Sequence, residues 1–203
     1  KMQNNTINYY EESASSLIDR YESADVSNVQ TLLSKTFKQK ENLLEIGCGS
    51  GRDVSFMIKN NYDVIGIDGS ANMIKEAKQI HPELEKKLFY KVLPNDLKFN
   101  KKFEGIYSIA TLMHFSKDDL KRTLSKIYGL LNKNGKFLMS VSLLRNDIDE
   151  NGFDEQGRFF LVLNLQEWID AIEAVGFTTL SKKINKDGLN RDGIEWLTVV
   201  VGK

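Results

Sequence analysis

Leu43-Leu44-Glu45-Ile46-Gly47-Cys48-Gly49-Ser50-Gly51-Arg52-Asp53 decides how this chain is read. Leu43, Leu44 and Ile46 form the apolar run of a buried strand, which enters three alternate glycines. A helix is predicted to begin near Arg52, with Val54, Phe56, Met57 and Ile58 available for its buried side. Glycines in such a turn let the backbone reverse sharply and let a ligand approach where a Cβ would stand in the way. The next apolar run, Asp63-Val64-Ile65-Gly66-Ile67, predicts a second strand that delivers Asp68 to its carboxyl end. A carboxylate there can accept hydrogen bonds from both hydroxyls of a ribose. Two successive strand ends therefore converge on one ribose-bearing ligand.

The alternation Gly47, Gly49, Gly51 departs from the G-x-G-x-x-G spacing of dinucleotide binders, and Arg52 stands where that fingerprint has its last glycine. This disfavours a nicotinamide or flavin cofactor. No G-x-x-x-x-G-K-[ST] occurs, which excludes a P-loop.

With these residues in hand, the segment resembles motifs I and II of the class I S-adenosylmethionine-dependent methyltransferases. Asp68-Gly69-Ser70-Ala71-Asn72-Met73 is similar to the family's D-x-S-x-x-M pattern. Residues 103–110 look like its fourth strand, Leu112-Met113-His114-Phe115 like the active-site end of that strand, and residues 130–138 like its turn into strand five. The ordered match runs over residues 41–142. The resemblance implies S-adenosyl-L-methionine as cofactor and a Rossmann-like α/β three-layer sandwich. Its sheet would have seven mostly parallel strands in the order 3-2-1-4-5-7-6, with strand seven antiparallel.

The resemblance also implies site residues. Glu45, Gly47, Cys48, Gly49 and Gly51 would surround the methionine part, and Asp68, with Gly69 and Ser70 beside it, would hold the ribose. Cys48 reads as a small packing residue under the ligand. Arg52 is either a fork for the methionine carboxylate or half of a salt bridge to a surface acid. Met73 would pack on adenine, Asp96 or Asn95 and the Leu97 backbone would meet its amino group, and Ala110 and Thr111 would line the sulfonium. His114 is the candidate for an acceptor contact or base. Tyr9 and Tyr10 are placed to close over the sulfonium. Arg158 beside Phe159 and Phe160, and Arg191 before Trp196, are similar in pattern to methyltransferases of the tellurite-resistance type. If either arginine faces the crevice, an acidic acceptor is favoured.

A chain of 203 residues can bury one core and is short for two, so one domain over 1–203 is expected, with 1–40 as a helical cap and 41–203 as the core. Its 28 acidic and 28 basic residues balance, so no overall field draws it to nucleic acid or to an anionic membrane. One cysteine cannot form an internal disulfide, and with two histidines it makes a structural zinc site improbable, so no metal is expected. Without a secretory signal or long apolar run, a cytoplasmic location is expected.

Helical spacing predicts amphipathic helices over residues 8–21 and 25–38 that pack over the crevice. Further helices are predicted over 71–80, 117–131 and 165–175, and strands over 88–93, 136–142, 177–183 and 194–201. The polar stretch 145–158 is the candidate for a mobile loop.

The expected chemistry is methyl transfer to a small-molecule N, O, S or metalloid nucleophile. Ala110-Thr111-Leu112-Met113 stands where base-amino methyltransferases carry N-P-P-[YF], which disfavours a nucleic-acid acceptor. A protein acceptor, or a domain that binds S-adenosylmethionine or S-adenosylhomocysteine without turnover, remains the alternative. The residues leave open whether the chain is a monomer or a dimer.

Overall fold

The computed structural model describes residues 2–24, 26–189 and 191–203. Helices α1 (Met2–Ser23) and α2 (Ser27–Thr36) precede strand β1 (Asn42–Ile46). There follow α3 (Arg52–Lys59), β2 (Asp63–Asp68), α4 (Ala71–Ile80), β3 (Leu88–Tyr90) and β4 (Phe103–Ile109). The chain closes with α5 (Lys117–Leu130), β5 (Leu131–Leu144), α6 (Leu165–Glu173), β6 (Thr178–Lys186) and β7 (Glu195–Gly202). The sheet order is β3-β2-β1-β4-β5-β7-β6. β7 runs antiparallel to both neighbours and the other pairs are parallel, as expected from the sequence.

Alternation along the strands builds the layers. Leu43, Tyr107, Leu138 and Val200 face α2, α3 and α4 through Leu33, Phe37, Met57, Ile74 and Ala77. Their neighbours Leu44, Ile106, Met139, Val199 and Val201 face α5 and α6 through Leu124, Ile127, Trp168 and Ile172. Both faces of the central strands are buried, so those strands read as continuous apolar runs rather than as alternating ones. Ser116 caps α5 by accepting the Asp119 N–H, and Asn164 caps α6 in a reciprocal capping box with Glu167.

Several boundaries differ from the sequence reading. α1 extends further at both ends than residues 8–21, and the reading of α2 from Asp25 begins on a residue outside those described. β3 stops at Tyr90 because the following segment turns toward Pro94, which has no N–H for a ladder. The stretch 145–158 is organised by two aspartates. Asp149 accepts the N–H groups of Asn151 and Phe153, and Asp154 accepts those of Gln156 and Arg158. An isolated bridge joins Phe153 to Phe159. Among the described residues no helix is long and apolar enough to cross a membrane.

Candidate active site

A cavity of about 1480 Å³ opens at the carboxyl ends of β1, β2 and β4, and α1 crosses it. Its first wall is the glycine loop. The N–H groups of Gly47 and Cys48 both donate to the Ile67 carbonyl, 2.9 and 3.0 Å away, which ties the end of β1 to that of β2. Gly47 has φ +74°, and a Cβ there would collide with the Thr111 side chain. Gly49 has φ +52°, and a Cβ there would lie in ordinary contact with the Met73 methyl and the Tyr21 ring, both at 3.7 Å, so the left-handed backbone is what calls for glycine. Gly51 takes φ +78° as the cap of α3 and lies outside the cavity lining.

Asp68 stands against that loop. Its Oδ2 accepts the Gly49 N–H at 3.0 Å and its Oδ1 the Ser70 N–H at 2.9 Å. Burial raises its pKa, opposed by these two N–H groups, which stabilise the carboxylate. Ser70 caps α4 by accepting the Met73 N–H and donates its hydroxyl to Glu11 Oε2 at 2.6 Å. Asn72 N–H and its side chain also donate to Glu11, so α1 is clasped to the start of α4. A fixed carboxylate and an apolar wall at Met73 and Tyr21 fit a nucleoside with a ribose and a flat base.

Glu45 is buried and accepts the Tyr107 hydroxyl at 3.0 Å; burial and then the Asp53 charge push its pKa well above the usual carboxylate range. Of the two roles read for Arg52, the structure shows a salt bridge. Nε and Nη2 donate to Asp53, each at 3.2 Å, and Nη1 donates to the Tyr21 carbonyl at 2.5 Å. Its partner Asp53 is itself buried.

The other end of the cavity is assembled from distant segments. After Ala110, at φ +56°, a 3-10 turn over Leu112–His114 buries the histidine. His114 Nδ1 lies 2.8 Å from the Phe159 carbonyl and Nε2 3.1 Å from the Tyr10 hydroxyl. A carbonyl only accepts, so Nδ1 is assigned the proton, and Nε2 accepts from Tyr10. Burial pulls the His114 pKa down to about 4, opposed by the Phe159 carbonyl and assisted by the charges of Arg158 and Arg145. The imidazole is neutral at pH 7. Burial also raises the Tyr10 pKa, so its hydroxyl stays protonated.

Three arginines line this end of the cavity, each held by an aspartate close in sequence. Arg158 pairs with Asp154 at 2.7 Å and lies over the rings of Tyr9 and Phe160. Arg145 pairs with Asp147 through Nε at 2.8 Å and stacks 3.8 Å from the Phe160 centroid. Arg191 donates two bonds to Asp187, at 2.8 and 2.9 Å, and the Trp196 indole N–H joins them at 2.8 Å. These bonds, Arg191's first, hold Asp187 well below the usual carboxylate range.

The cavity thus brings together Glu45, Gly47, Cys48, Gly49, Arg52, Asp68, Gly69, Ser70, Met73, Ala110, Thr111, His114, Tyr10, Arg158 and Arg191. It does not bring in Asp96 or Leu97. Asp96 accepts the Val92 N–H of its own loop, Leu97 is core, and Lys91 and Leu93 take that wall instead. Tyr9 stacks edge-on against Tyr10, outside the lining. Tyr21, Asp53, Arg145 and Asp187 are lining residues the sequence reading did not single out. Arg145 had a signal, a basic residue just past the fifth strand with an acid two positions on. Among the described residues no group of three His, Cys, Asp or Glu side chains is arranged to hold a metal ion.

A family model described as a methyltransferase domain matches residues 18–182 of this chain. The chain belongs to the class I S-adenosylmethionine-dependent methyltransferases. It is 28% identical over 159 residues to the ubiquinone biosynthesis O-methyltransferase of Pelagibacter ubique, a match covering 76% of this methyltransferase and 65% of that protein. It therefore spans less than two thirds of that relative's length. Among solved structures, the 1,6-didemethyltoxoflavin-N1-methyltransferase of Burkholderia thailandensis, with 1,6-didemethyltoxoflavin and S-adenosylhomocysteine bound, superposes with a TM-score of 0.77 at 17% identity, covering 98% of this chain and 88% of that one. A TehB-like S-adenosylmethionine-dependent methyltransferase from Corynebacterium glutamicum gives 0.68 at 19% identity, with 95% and 98% covered. At these identities the likeness to the solved structures shows the fold.

Proposed function

We propose that this methyltransferase moves the methyl group of S-adenosylmethionine to a small-molecule nucleophile by in-line displacement. One observation carries this reading: the Asp68 carboxylate and the Tyr10–His114 pair lie at two ends of one cavity that α1 crosses. Asp68 accepts the ribose hydroxyls, Met73 and Tyr21 flank the base, and Glu45 and the loop from Gly47 to Gly49 take the methionine part. Ala110 and Thr111 border the reacting centre. S-adenosylmethionine, when bound, supplies a methyl sulfonium electrophile.

The remaining task of the protein is orientation and exclusion of water. Orientation can contribute about 7–11 kcal/mol, against about 10²–10⁴-fold for one general base. His114 at about 4 requires roughly 4 kcal/mol to take a proton at pH 7. Its part is therefore to accept the Tyr10 O–H and fix that ring at the cavity wall, with Tyr9 packed against Tyr10. Arg158 stands beside Tyr10, and Arg191 lines the same cavity from the β6–β7 connection. A small-molecule acceptor is supported by the similarity to an O-methyltransferase of ubiquinone biosynthesis and to an enzyme that holds 1,6-didemethyltoxoflavin.

Calorimetric titration with S-adenosylmethionine, S-adenosylhomocysteine and NADH tests the cofactor half of this reading. Saturable binding of the first two without NADH is expected. S-adenosylhomocysteine release in an acceptor screen then separates an enzyme from a silent binder, since a binder shows none with any acceptor.

A further inference from the structure

We infer that the acceptor is a small organic carboxylate, held by the Nη1 edges of the Arg145 and Arg191 guanidiniums beside Phe160 and Trp196, while Arg158, whose fork is shared between Asp154 and the Tyr10 hydroxyl, adds its charge. This inference rests on the methyltransferase reading and names the substrate class of the same cavity.

The wall furthest from Asp68 is built from β5, the segment after it, β6 and β7. There the cationic side chains lining the cavity are Arg145, Arg158, Arg191, Lys182, Lys183 and Lys186, and Asp187 is the acid that lines it. The lysines lie on an exposed edge strand, where water screens them. Two of the arginines are sheltered, with the Arg145 side chain 3% exposed and that of Arg158 19%, while that of Arg191 is 37% exposed at the rim.

Burying guanidiniums in this way is costly unless each is paired, and each is. Asp147 takes the Nε and Nη2 edge of Arg145, and Asp187 takes the same edge of Arg191. Asp147 and Asp154 stand behind their arginines, outside the cavity lining. A guanidinium carries five N–H donors in a planar fork, so an aspartate on one edge leaves the Nη1 edge for a second carboxylate. The pairing aligns the forks and cancels their charge. Such a wall offers directed donors with little excess charge, which suits a monoanionic carboxylate better than a dianionic phosphate. Stacking on Phe160 holds Arg145 flat, so its donor plane is fixed before any ligand arrives.

The test uses the full chain saturated with S-adenosylhomocysteine, titrated by calorimetry with benzoate, benzamide, phenyl phosphate and inorganic phosphate. Benzoate is expected to bind at least about tenfold more tightly than benzamide. Arg145→Lys, which keeps the charge and loses the fork, is expected to lose that preference while still binding S-adenosylhomocysteine, which shows that it is folded. Equal binding of benzoate and benzamide, or a benzoate preference intact in both Arg145→Lys and Arg191→Lys, overturns the carboxylate assignment and leaves the methyltransferase reading standing. Tighter binding of either phosphate assigns the wall to a phosphorylated acceptor or a free oxyanion and likewise overturns it. Failure of S-adenosylhomocysteine itself to bind strikes the methyltransferase reading, and the inference falls with it.

Discussion

The two ends of the cavity are made from different materials. The end around Asp68 comes mainly from residues 45–73, in chain order, with Tyr21 and Glu11 added from α1, and much of its chemistry is backbone: the N–H groups of Gly49 and Ser70 and a glycine loop at positive φ. The end around His114 gathers Tyr10 from α1, His114 from the 3-10 turn, Arg145 and Arg158 from the segment after β5, and Arg191 and Trp196 from the β6–β7 connection. There the chemistry is side chains held by other side chains. A site made of backbone demands particular residues at fixed spacing. A site made of side chains demands only that the fold bring them together, so it can change its ligand without touching the first.

Asp68→Ala should produce the largest break between the two ends. Losing two charge-assisted hydrogen bonds to a ribose is expected to weaken S-adenosylhomocysteine binding by roughly 3–5 kcal/mol, read by calorimetry. A loss below about tenfold would mean that the acidic strand end is not the ribose anchor.

His114 tests the other end through pH. Its pKa is about 4 in the folded chain against an ordinary value of 6.5. Between these values the unfolded chain holds a proton that the folded chain does not, so this group makes stability fall as the pH drops from about 6.5 to about 4, and makes no change above. The full span is worth about 3 kcal/mol. Urea unfolding of wild type and His114→Asn across that window should show the difference between the two curves narrowing on acidification by about this amount. Parallel curves would mean that the imidazole titrates as it does in water.

The smallest effect concerns α1, which touches both ends. Glu11→Ala removes the acceptor for the Ser70 hydroxyl and the Asn72 N–H, and a loss of about 1 kcal/mol in urea unfolding is expected. S-adenosylhomocysteine affinity should fall less than in Asp68→Ala, because the clasp supports the Asp68 loop without belonging to it. An unchanged midpoint would mean that the clasp carries no stability and that α1 is held by its buried Ala14, Leu17 and Ile18 and by Thr6.

The alternation of strands and helices was legible because alternate glycines, an acid at a strand end and apolar runs each leave a local pattern, while the strand order was expected only from the family resemblance that those motifs carry. Within residues 145–158 the turns are local too, since Asp149 and Asp154 each accept N–H groups two and four positions on. Asp96 shows the limit of spacing as a guide. It lies close to the expected place in the sequence, yet its carboxylate turns back to the Val92 N–H. Arg52 is held by its neighbour Asp53 and by the Tyr21 carbonyl, 31 residues away.

What the amino-acid order determined by itself is the nucleoside end, because backbone conformation is a local property and glycine is its visible mark. What only the tertiary structure decided is the acceptor end. Tyr10 meets His114 across 104 residues, and Thr6 meets Phe159 across 153. No local periodicity records such pairs, since they depend on how packed layers carry loops to one edge of the sheet.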